Sequence, residues 1–250
     1  MSIEMRFDQS SLFNTFRMQD IEETIARRDL VRYFIPSCEA TILELGSGLG
    51  EVVSALEDSC KRIFALETDH TMFSALNADI NSKTDHPIIA IPSTLSELNL
   101  KEEINVIYSF NYFSFLPELS KSIEIQAAFE ALQEDGYLIF THSQFVSDPS
   151  HTLTNPETIF NNNEMFVEKT SEILTQIEES IYEVKFNFRL LFRNLVVSVA
   201  NRQSILYLQQ PDRSIEMCME VGFKDAWIYK DLSLNSYQAE SSSYLVVARK

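Results

Sequence analysis

The stretch Ile42–Gly50, ILELGSGLG, decides the fold of this chain, and the helix-like stretch EVVSALEDSC follows it directly. Three of the five glycines of the chain lie in it, at Gly46, Gly48 and Gly50. Glycine lets a backbone turn sharply and approach a ligand closely, so an apolar strand that leads through these residues into a helix predicts a nucleotide-type binding turn. A dinucleotide fingerprint, GxGxxG, would place its third glycine at position 51, where this chain has Glu51.

Outside the glycine turn, short apolar runs alternate with amphipathic stretches, a pattern typical of a doubly wound parallel sheet. The pattern predicts helices over residues 20–35, 51–56, 71–80, 123–132 and 212–221. It predicts strands over residues 42–45, 62–66, 88–91, 104–109, 137–140, 223–229 and 244–248. The predicted fold class is therefore α/β.

Residues 145–210 depart from this alternation. Their composition predicts a polar loop over 155–163 and a helix over 164–177. From Tyr182 to Phe192, apolar and polar residues alternate with the period of a half-buried strand, and Arg193-Asn194 predicts a turn into two further strands over 195–200 and 205–208. We predict an antiparallel β insertion over the sheet, which either covers more of the core or walls a substrate pocket.

Composition excludes several classes of protein. A chain of 250 residues that is 45% hydrophobic can bury one sizeable core, and it has neither an apolar stretch of about 20 residues nor an N-terminal targeting pattern. We therefore expect a soluble, cytoplasmic protein. Three widely spaced cysteines, Cys38, Cys60 and Cys218, suit a reducing compartment and predict no metal site. The net charge of −17 argues against a nucleic-acid substrate.

The motif from Glu44 to Gly50 has the form ExGxGxG, and the chain ends with MEVGFKDAWIY and SSSYLVVARK. In these two regions the chain resembles the class I S-adenosylmethionine-dependent methyltransferases, of the small-molecule type, over residues 35–140 and 214–250. The resemblance implies a Rossmann-like sheet of seven mostly parallel strands, with an antiparallel last strand and helices on both faces. It also implies S-adenosylmethionine as the cofactor and S-adenosylhomocysteine as the product.

We therefore predict one methyltransferase domain over residues 1–250, in four parts. Residues 1–35 are an N-terminal lid and helix, with Phe13, Phe16 and Met18 in the segment that folds over the cofactor in the family. Residues 36–144 are the cofactor-binding core, and residues 145–210 are the substrate-cap insertion or lid. Residues 211–250 supply a helix and the strands that complete the sheet.

The cofactor contacts are predicted along the carboxyl edge of the sheet. Glu67 follows the second strand, about 20 residues after the glycine turn, where an acid accepts hydrogen bonds from the ribose hydroxyls. Asp69 is the nearest alternative, although it is better placed to cap the next helix. The resemblance implies contacts of the methionine part with Glu44, Gly46, Ser47, Gly48 and Phe110, and of adenine with Thr68, Met72, Ser93 and Thr94. Ser93 and Thr94 stand where the family commonly has an Asp, and Phe110 is equally well explained as a core residue.

Two residues are candidates for a catalytic role. Methyl transfer from a sulfonium is an in-line displacement that depends on placing the acceptor close to the methyl group in a dry pocket. A general base helps when the acceptor must lose a proton. His142, directly after the predicted fifth strand, could be this base or a substrate contact, and Tyr112 is a second candidate. The alternative for His142 is a hydrogen-bonded histidine at the rim of the sheet.

The predicted function is transfer of a methyl group from S-adenosylmethionine to O or N of a small molecule. Three alternatives stay open: a protein-directed methyltransferase, a non-catalytic S-adenosylmethionine-binding module and, least favoured, a nicotinamide-dependent oxidoreductase. We predict a small-molecule substrate and neither nucleic acid nor a membrane as partner. The oligomeric state is left open, with a homodimer as one option.

Overall fold

The computed structural model describes residues 21–82, 86–144, 157–162, 165–193, 195–230, 232–239, 241 and 243–250. The lid residues Phe13, Phe16 and Met18, and Asn194 of the predicted turn, lie outside these ranges. The chain divides into two compact units. The larger unit comprises Thr24–Val146 and Tyr207–Lys250, and the smaller one contains the residues between them.

The larger unit is built on a seven-stranded sheet in the order β10-β11-β5-β4-β1-β2-β3. Neighbouring strands are parallel except that β11 runs antiparallel to both β5 and β10. The fold class and the antiparallel last strand predicted from the sequence are therefore confirmed. The strands are β1 Thr41–Leu45, β2 Arg62–Leu66, β3 Ile88–Ile91, β4 Ile104–Ser109, β5 Leu132–Ser143, β10 Asp225–Tyr229 and β11 Ser243–Arg249.

Among the described residues, five α-helices pack on the two faces of this sheet: α1 Ile21–Phe34, α2 Glu51–Ala55, α3 His70–Asn81, α4 Glu118–Ala131 and α5 Pro211–Val221. Buried residues of α1, α2 and α3 belong to one apolar cluster, and those of α4 and α5 belong to the other. A short 3₁₀ helix, Tyr112–Phe115, follows β4. Asp69 caps α3 by accepting hydrogen bonds from the backbone of Thr71 and Met72, as predicted, and Gly222 ends α5 with φ 117°.

The prediction for the start of the fifth strand was wrong. The helix predicted over residues 123–132 and the strand predicted over 137–140 leave Glu134-Asp135-Gly136 between them as a break, but α4 ends at Ala131 and β5 begins at Leu132. Asp135 adopts φ 60°, and the pairing of β4 with β5 shifts in register between Ile104 and Val106. The local turn is therefore absorbed as an irregularity inside a long strand.

The smaller unit is a four-stranded antiparallel sheet in the order β6-β7-β8-β9. Its strands are β6 Glu157–Asn162, β7 Met165–Glu178, β8 Ile181–Phe192 and β9 Leu195–Tyr207. The antiparallel insertion and the strand at β8 are confirmed, with Tyr182 and Val184 buried and Arg189 exposed. The prediction of a polar loop over 155–163 was wrong, because residues Glu157–Asn162 form β6. The two strands predicted over 195–200 and 205–208 are one continuous strand, β9.

The helix predicted over residues 164–177 was also wrong, because these residues form β7. The apolar positions 166, 173, 174 and 177 have a helical spacing, but the segment also carries five β-branched residues, which favour a strand: Val167, Thr170, Ile173, Thr175 and Ile177. Pairing with β8 from Met165 to Glu178 satisfies the backbone of the whole segment, with two register shifts. Long-range pairing therefore outweighs the local period.

The order of the sheet determines where a ligand can bind. The chain passes from β1 outward to β2 and β3 on one side, and returns to β4 and β5 on the other. Ligands of open α/β sheets bind at the carboxyl ends of the strands, at the point where the strand order reverses. Here that point lies between β1 and β4. In the part of the chain that the structure describes, no helix is both long and apolar enough to cross a membrane.

Candidate functional site

The glycine turn leaves β1 at the point where the strand order reverses. Gly46 and Gly48 have φ values of 68° and 56°, a left-handed conformation that other residues adopt only with strain. The N–H of Ser47, between them, donates to Leu66 O at 2.9 Å, which ties the turn to the end of β2. Gly46, Ser47 and Gly48 thus lie where the sequence predicts them.

Gly46 and Gly48 differ in what surrounds them. A Cβ atom added at Gly46 would lie 2.8 Å from Cδ2 of Tyr112, whose ring packs against the turn. A Cβ atom added at Gly48 would meet nothing within 4 Å. The turn therefore offers open space at Gly48, beside the backbone that a ligand would approach.

Glu67 joins the glycine turn to the residues that follow β2. Its carboxylate accepts hydrogen bonds from Gly48 N through Oε2 and from Asp69 N through Oε1, both at 2.8 Å, and the residue is 7% exposed. A carboxylate has about four acceptor positions, so two N–H donors leave capacity for further donors such as hydroxyls. Thr68 is exposed and Met72 is half-buried at the start of α3, next to this carboxylate in the chain.

Glu44 is buried in β1 directly before the turn. The hydroxyl of Tyr108, in the neighbouring position of β4, donates to Glu44 Oε2 at 3.4 Å. Burial raises the pKa of Glu44 well above its usual value and the charge of Glu51 adds to this, whereas Arg27 of α1 acts in the opposite direction. The Arg27 guanidinium lies 5.1 Å from the ring centre of Phe110, so α1 brings a cation to Phe110 and close enough to act on Glu44.

The loop that follows β3 has its own hydrogen-bond network. Its start lies beside Glu67, whose N–H donates to Ile91 O at 3.2 Å. The Ser93 hydroxyl lies 2.9 Å from Glu97 Oε2, and Thr94 N donates to the same oxygen at 3.1 Å. These contacts lower the pKa of Glu97, with the Thr94 N–H as the largest cause. Ser93 and Thr94 therefore hold an exposed carboxylate beside them, which the sequence analysis did not single out.

Tyr112 connects the glycine turn with this loop. Its half-buried ring packs on Gly46, and burial raises the pKa of its hydroxyl. The charges of Glu124, Glu67 and Glu97 raise that pKa further. Three carboxylates from separate elements therefore lie near enough to Tyr112 to act on the charge of its hydroxyl.

Residues 43–140 match the family of methyltransferase domains, and no curated protein matches the chain by sequence. This matched segment contains the glycine turn, Glu67, the loop after β3 and β4. Over these residues the chain is therefore similar to methyltransferase domains. S-adenosylmethionine is the cofactor that the resemblance of the sequence to class I methyltransferases implies.

Solved structures share the fold of this chain at low sequence identity. DesVI of Streptomyces venezuelae is 13% identical, with a TM-score of 0.75 over 97% of this chain and 98% of that chain. The S-adenosylmethionine-bound amino pentose methyltransferase CalS10 of Micromonospora echinaspora is 12% identical, with a TM-score of 0.69 over 100% of both chains. The sugar N-methyltransferase KedS8 of Streptoalloteichus is 14% identical, with a TM-score of 0.67 over 100% of this chain and 96% of that chain.

His142 lies at the carboxyl end of β5 and is 0% exposed. Its ring stacks on Tyr244 of β11, with ring centres 5.7 Å apart, and its Nδ1 donates to Ser143 O at 3.0 Å. Its Nε2 is buried without a hydrogen-bond partner among the described residues. Burial, helped by the charge of Lys121, lowers the pKa of His142 to about 3. The imidazole is therefore neutral at pH 7.

Lys121 of α4 belongs to the same buried region of the larger unit, and the sequence analysis missed it. Its Nζ donates to Gln209 Oε1 at 3.2 Å and to Tyr207 O at 3.4 Å, and burial lowers its pKa to about 8. The amide of Gln209 donates to Ser214 Oγ at 2.7 Å, and the hydroxyl of Tyr244 donates to Gln209 O at 3.2 Å. This network links α4, α5 and β11 behind His142.

One signal in the sequence could have revealed Lys121 and a second buried charge, Glu124. Both residues fall on the spacing of the buried face of α4, which also carries Ile125, Ala128 and Ala131. The helix predicted to start at residue 123 left Lys121 outside it. Charged residues on the apolar face of a helix indicate buried polar partners.

Proposed function

We propose that this chain binds S-adenosylmethionine at the glycine turn and transfers its methyl group to O or N of a small-molecule acceptor. The observation that carries the proposal is the 2.8 Å hydrogen bond from Gly48 N to Glu67 Oε2. It joins the turn that suits the methionine part to the acid that suits the ribose, in one preformed site. The open space at Gly48 supports the fit of a ligand close to the backbone.

Successive parts of the cofactor would contact residues that follow successive strands of the sheet. Glu44, Gly46, Ser47, Gly48 and Phe110 would hold the methionine part, and Glu67 would accept hydrogen bonds from the ribose hydroxyls. The groups at the carboxyl ends of the next elements outward would hold the adenine: Thr68, Met72, Ser93 and Thr94. The raised pKa of Glu44 favours its protonated form, which can donate as well as accept a hydrogen bond.

Bound S-adenosylmethionine would supply an electrophilic methyl group on a positively charged sulfur. The protein then has to align the acceptor and keep water out, and both tasks are performed by position and packing. Tyr112, whose ring packs against Gly46 of the glycine turn, would contact a ligand there. The role of His142 as general base stays a prediction, and its lowered pKa makes it a weak base at neutral pH.

The small-molecule class of the acceptor is supported by relatives of the same fold. CalS10 and KedS8, which cover this chain completely, are named as sugar methyltransferases. The substrate-cap role of residues 145–210 stays a prediction from the sequence. The cytoplasmic location and the absence of nucleic-acid and membrane partners stay predictions from composition, and a homodimer stays an option.

We expect the purified chain to bind S-adenosylhomocysteine with micromolar affinity in a calorimetric titration, because this product retains the methionine, ribose and adenine parts. NADH is the control ligand and should not bind, since position 51 lacks the glycine of the dinucleotide fingerprint. Binding of NADH alone would contradict the proposal.

A second experiment compares the transfer of labelled methyl groups to metabolite pools with their transfer to peptides. It separates a small-molecule methyltransferase from a protein-directed one. Binding without any transfer would indicate a non-catalytic module.

We expect Gly48→Ala to remove most of the affinity for S-adenosylhomocysteine while lowering the free energy of unfolding by only about 1 kcal/mol. The added Cβ atom has no protein atom within 4 Å, so the cost to folding comes only from the left-handed backbone of an alanine. The methyl group instead fills space that the ligand would occupy. Gly46→Ala, which also lies in the proposed site, is the comparison for the folding cost alone. It has the same backbone strain and a 2.8 Å contact with Tyr112, so we expect about 2 to 3 kcal/mol of destabilisation. Unchanged affinity in a folded Gly48→Ala variant would place the ligand elsewhere.

A further inference from the structure

Glu124 of α4 is a buried carboxylate whose acceptor oxygens all face one short segment of chain. It is 3% exposed and accepts hydrogen bonds from Leu95 N at 3.1 Å, from Ser96 N at 3.3 Å and from Ser96 Oγ at 2.5 Å. A buried carboxylate is costly unless several donors satisfy it, and here one helix residue receives three donors from a single loop. The contact therefore fixes that loop against α4.

The segment held by Glu124 is the middle of the loop that follows β3. Leu95 is fully buried, so the loop has one anchored point. Immediately before this point, Ser93 and Thr94 are joined to the carboxylate of Glu97, which is exposed. Glu124 thus determines where a pair of hydroxyl groups and an exposed carboxylate are presented.

The order of the strands indicates which part of a ligand meets this loop. A ligand held by the turn after β1 and by Glu67 at the end of β2 extends next to the end of β3, because the strands lie in the order β1-β2-β3. For S-adenosylmethionine, the part beyond the ribose is adenine. The loop offers hydrogen-bond acceptors there, and adenine has an amino donor where hypoxanthine has a carbonyl acceptor.

We propose that Glu124 is a positioning residue that holds the loop after β3 in the arrangement that recognises the adenine base. This inference rests on the proposed function, since it assumes that S-adenosylmethionine occupies the site. Glu124 acts through Leu95 and Ser96, and it does not itself touch the cofactor. A carboxylate suits this role better than an amide, because all three groups that face it are donors and an amide would present an N–H group to one of them.

The test compares two ligands that differ only in the base, S-adenosylhomocysteine and S-inosylhomocysteine, by calorimetry on the full chain. We expect the parent chain to prefer the adenosyl compound by about tenfold or more. Glu124→Gln should weaken binding of the adenosyl compound by about tenfold and change binding of the inosyl compound less than about twofold, so that the preference is lost. Ser96→Ala, which removes one donor, should reduce the preference in the same direction and serves if Glu124→Gln does not fold.

Glu130→Gln is the matched control on the same helix, since Glu130 is exposed and its carboxylate accepts a hydrogen bond from Gln126 of the same helix, at 2.9 Å. It should leave both affinities unchanged. An equal loss of both affinities in the Glu124 variant, an unaltered preference, or a parent chain that does not distinguish the two ligands would overturn the inference. A parent chain that binds neither ligand would contradict the proposed function itself, so the two failures are distinguishable.

Discussion

Acidification from pH 7 to pH 4 is expected to lower the free energy of unfolding by about 3 kcal/mol through His142 alone. Burial lowers the pKa of His142 to about 3, against an ordinary value of 6.5 in the unfolded chain. Well above pH 6.5 the imidazole of His142 is neutral in both the folded and the unfolded chain, so it causes no loss of stability there. Between pH 6.5 and pH 3 the unfolded chain binds a proton that the folded chain does not, so stability falls as the pH falls.

The measurement is the free energy of unfolding by urea at several pH values, for the parent chain and for His142→Phe. Phenylalanine keeps a ring against Tyr244 but loses the hydrogen bond to Ser143 O, so we expect the variant to be about 1 kcal/mol less stable at pH 7. As the pH falls to 4, the difference should shift by about 3 kcal/mol in favour of the variant. The same exchange at the exposed His70 is the matched control. A difference that does not change with pH would contradict the prediction.

The His142→Phe variant also tests the catalytic role. If His142 is the general base, turnover falls while the affinity for S-adenosylhomocysteine is retained. If turnover is unaltered, His142 is structural, which agrees with its complete burial and its lowered pKa. The two measurements are independent, because the first concerns the folded state and the second concerns the reaction.

Glu67→Ala is expected to weaken binding of S-adenosylhomocysteine by about 1 to 3 kcal/mol, or about 5- to 150-fold in Kd. The ribose hydroxyls would lose a charged acceptor. The N–H groups of Gly48 and Asp69, each 2.8 Å from this carboxylate, would lose theirs as well. We therefore also expect the glycine turn to loosen, with a fall in the free energy of unfolding of about 1 to 3 kcal/mol. Calorimetry and urea unfolding measure the two effects separately.

Asp69→Asn is the control for Glu67→Ala, because it removes a neighbouring charge while Asn remains a good helix cap for α3. It should leave the affinity unchanged. Glu67→Gln keeps the volume of the side chain but presents an N–H group to one of the two backbone donors, so its loss of affinity should be similar to that of Glu67→Ala. If a folded Glu67→Ala variant keeps the parent affinity, or if only Asp69→Asn loses affinity for S-adenosylhomocysteine, the ribose acceptor is Asp69 and not Glu67.

The parts of the fold that the sequence predicted well are those whose signal is local. The glycine turn, the N-cap at Asp69 and the C-terminal stop at Gly222 each depend on backbone geometry that few residues supply, so residue type alone indicates them. The buried strands of the parallel sheet are continuous apolar runs. The segment at β7 has both a helical spacing and β-branched residues, and only the partner strand resolves that ambiguity.

The residues of the candidate site also differ in whether a local sequence pattern indicates them. Glu67 and the turn lie about 20 residues apart, yet both follow predicted strands, and the carboxyl ends of neighbouring parallel strands meet at one edge. Glu124, in contrast, contacts residues 28 and 29 positions earlier in the chain, through a packing of α4 that no local pattern contains. Lys121 and its oxygen acceptors are 86 and 88 positions apart.

Local patterns of residue types are enough to predict the class of fold, the glycine turn and the acid at the end of the second strand. The strand at β7, the burial of a neutral His142 and the hold of Glu124 on the loop after β3 depend instead on tertiary packing. These features depend on which surfaces meet after the chain has folded. Burial and hydrogen bonding between distant residues set the free energy of a buried charge or a backbone segment. The neighbouring residues in the sequence do not determine either of them.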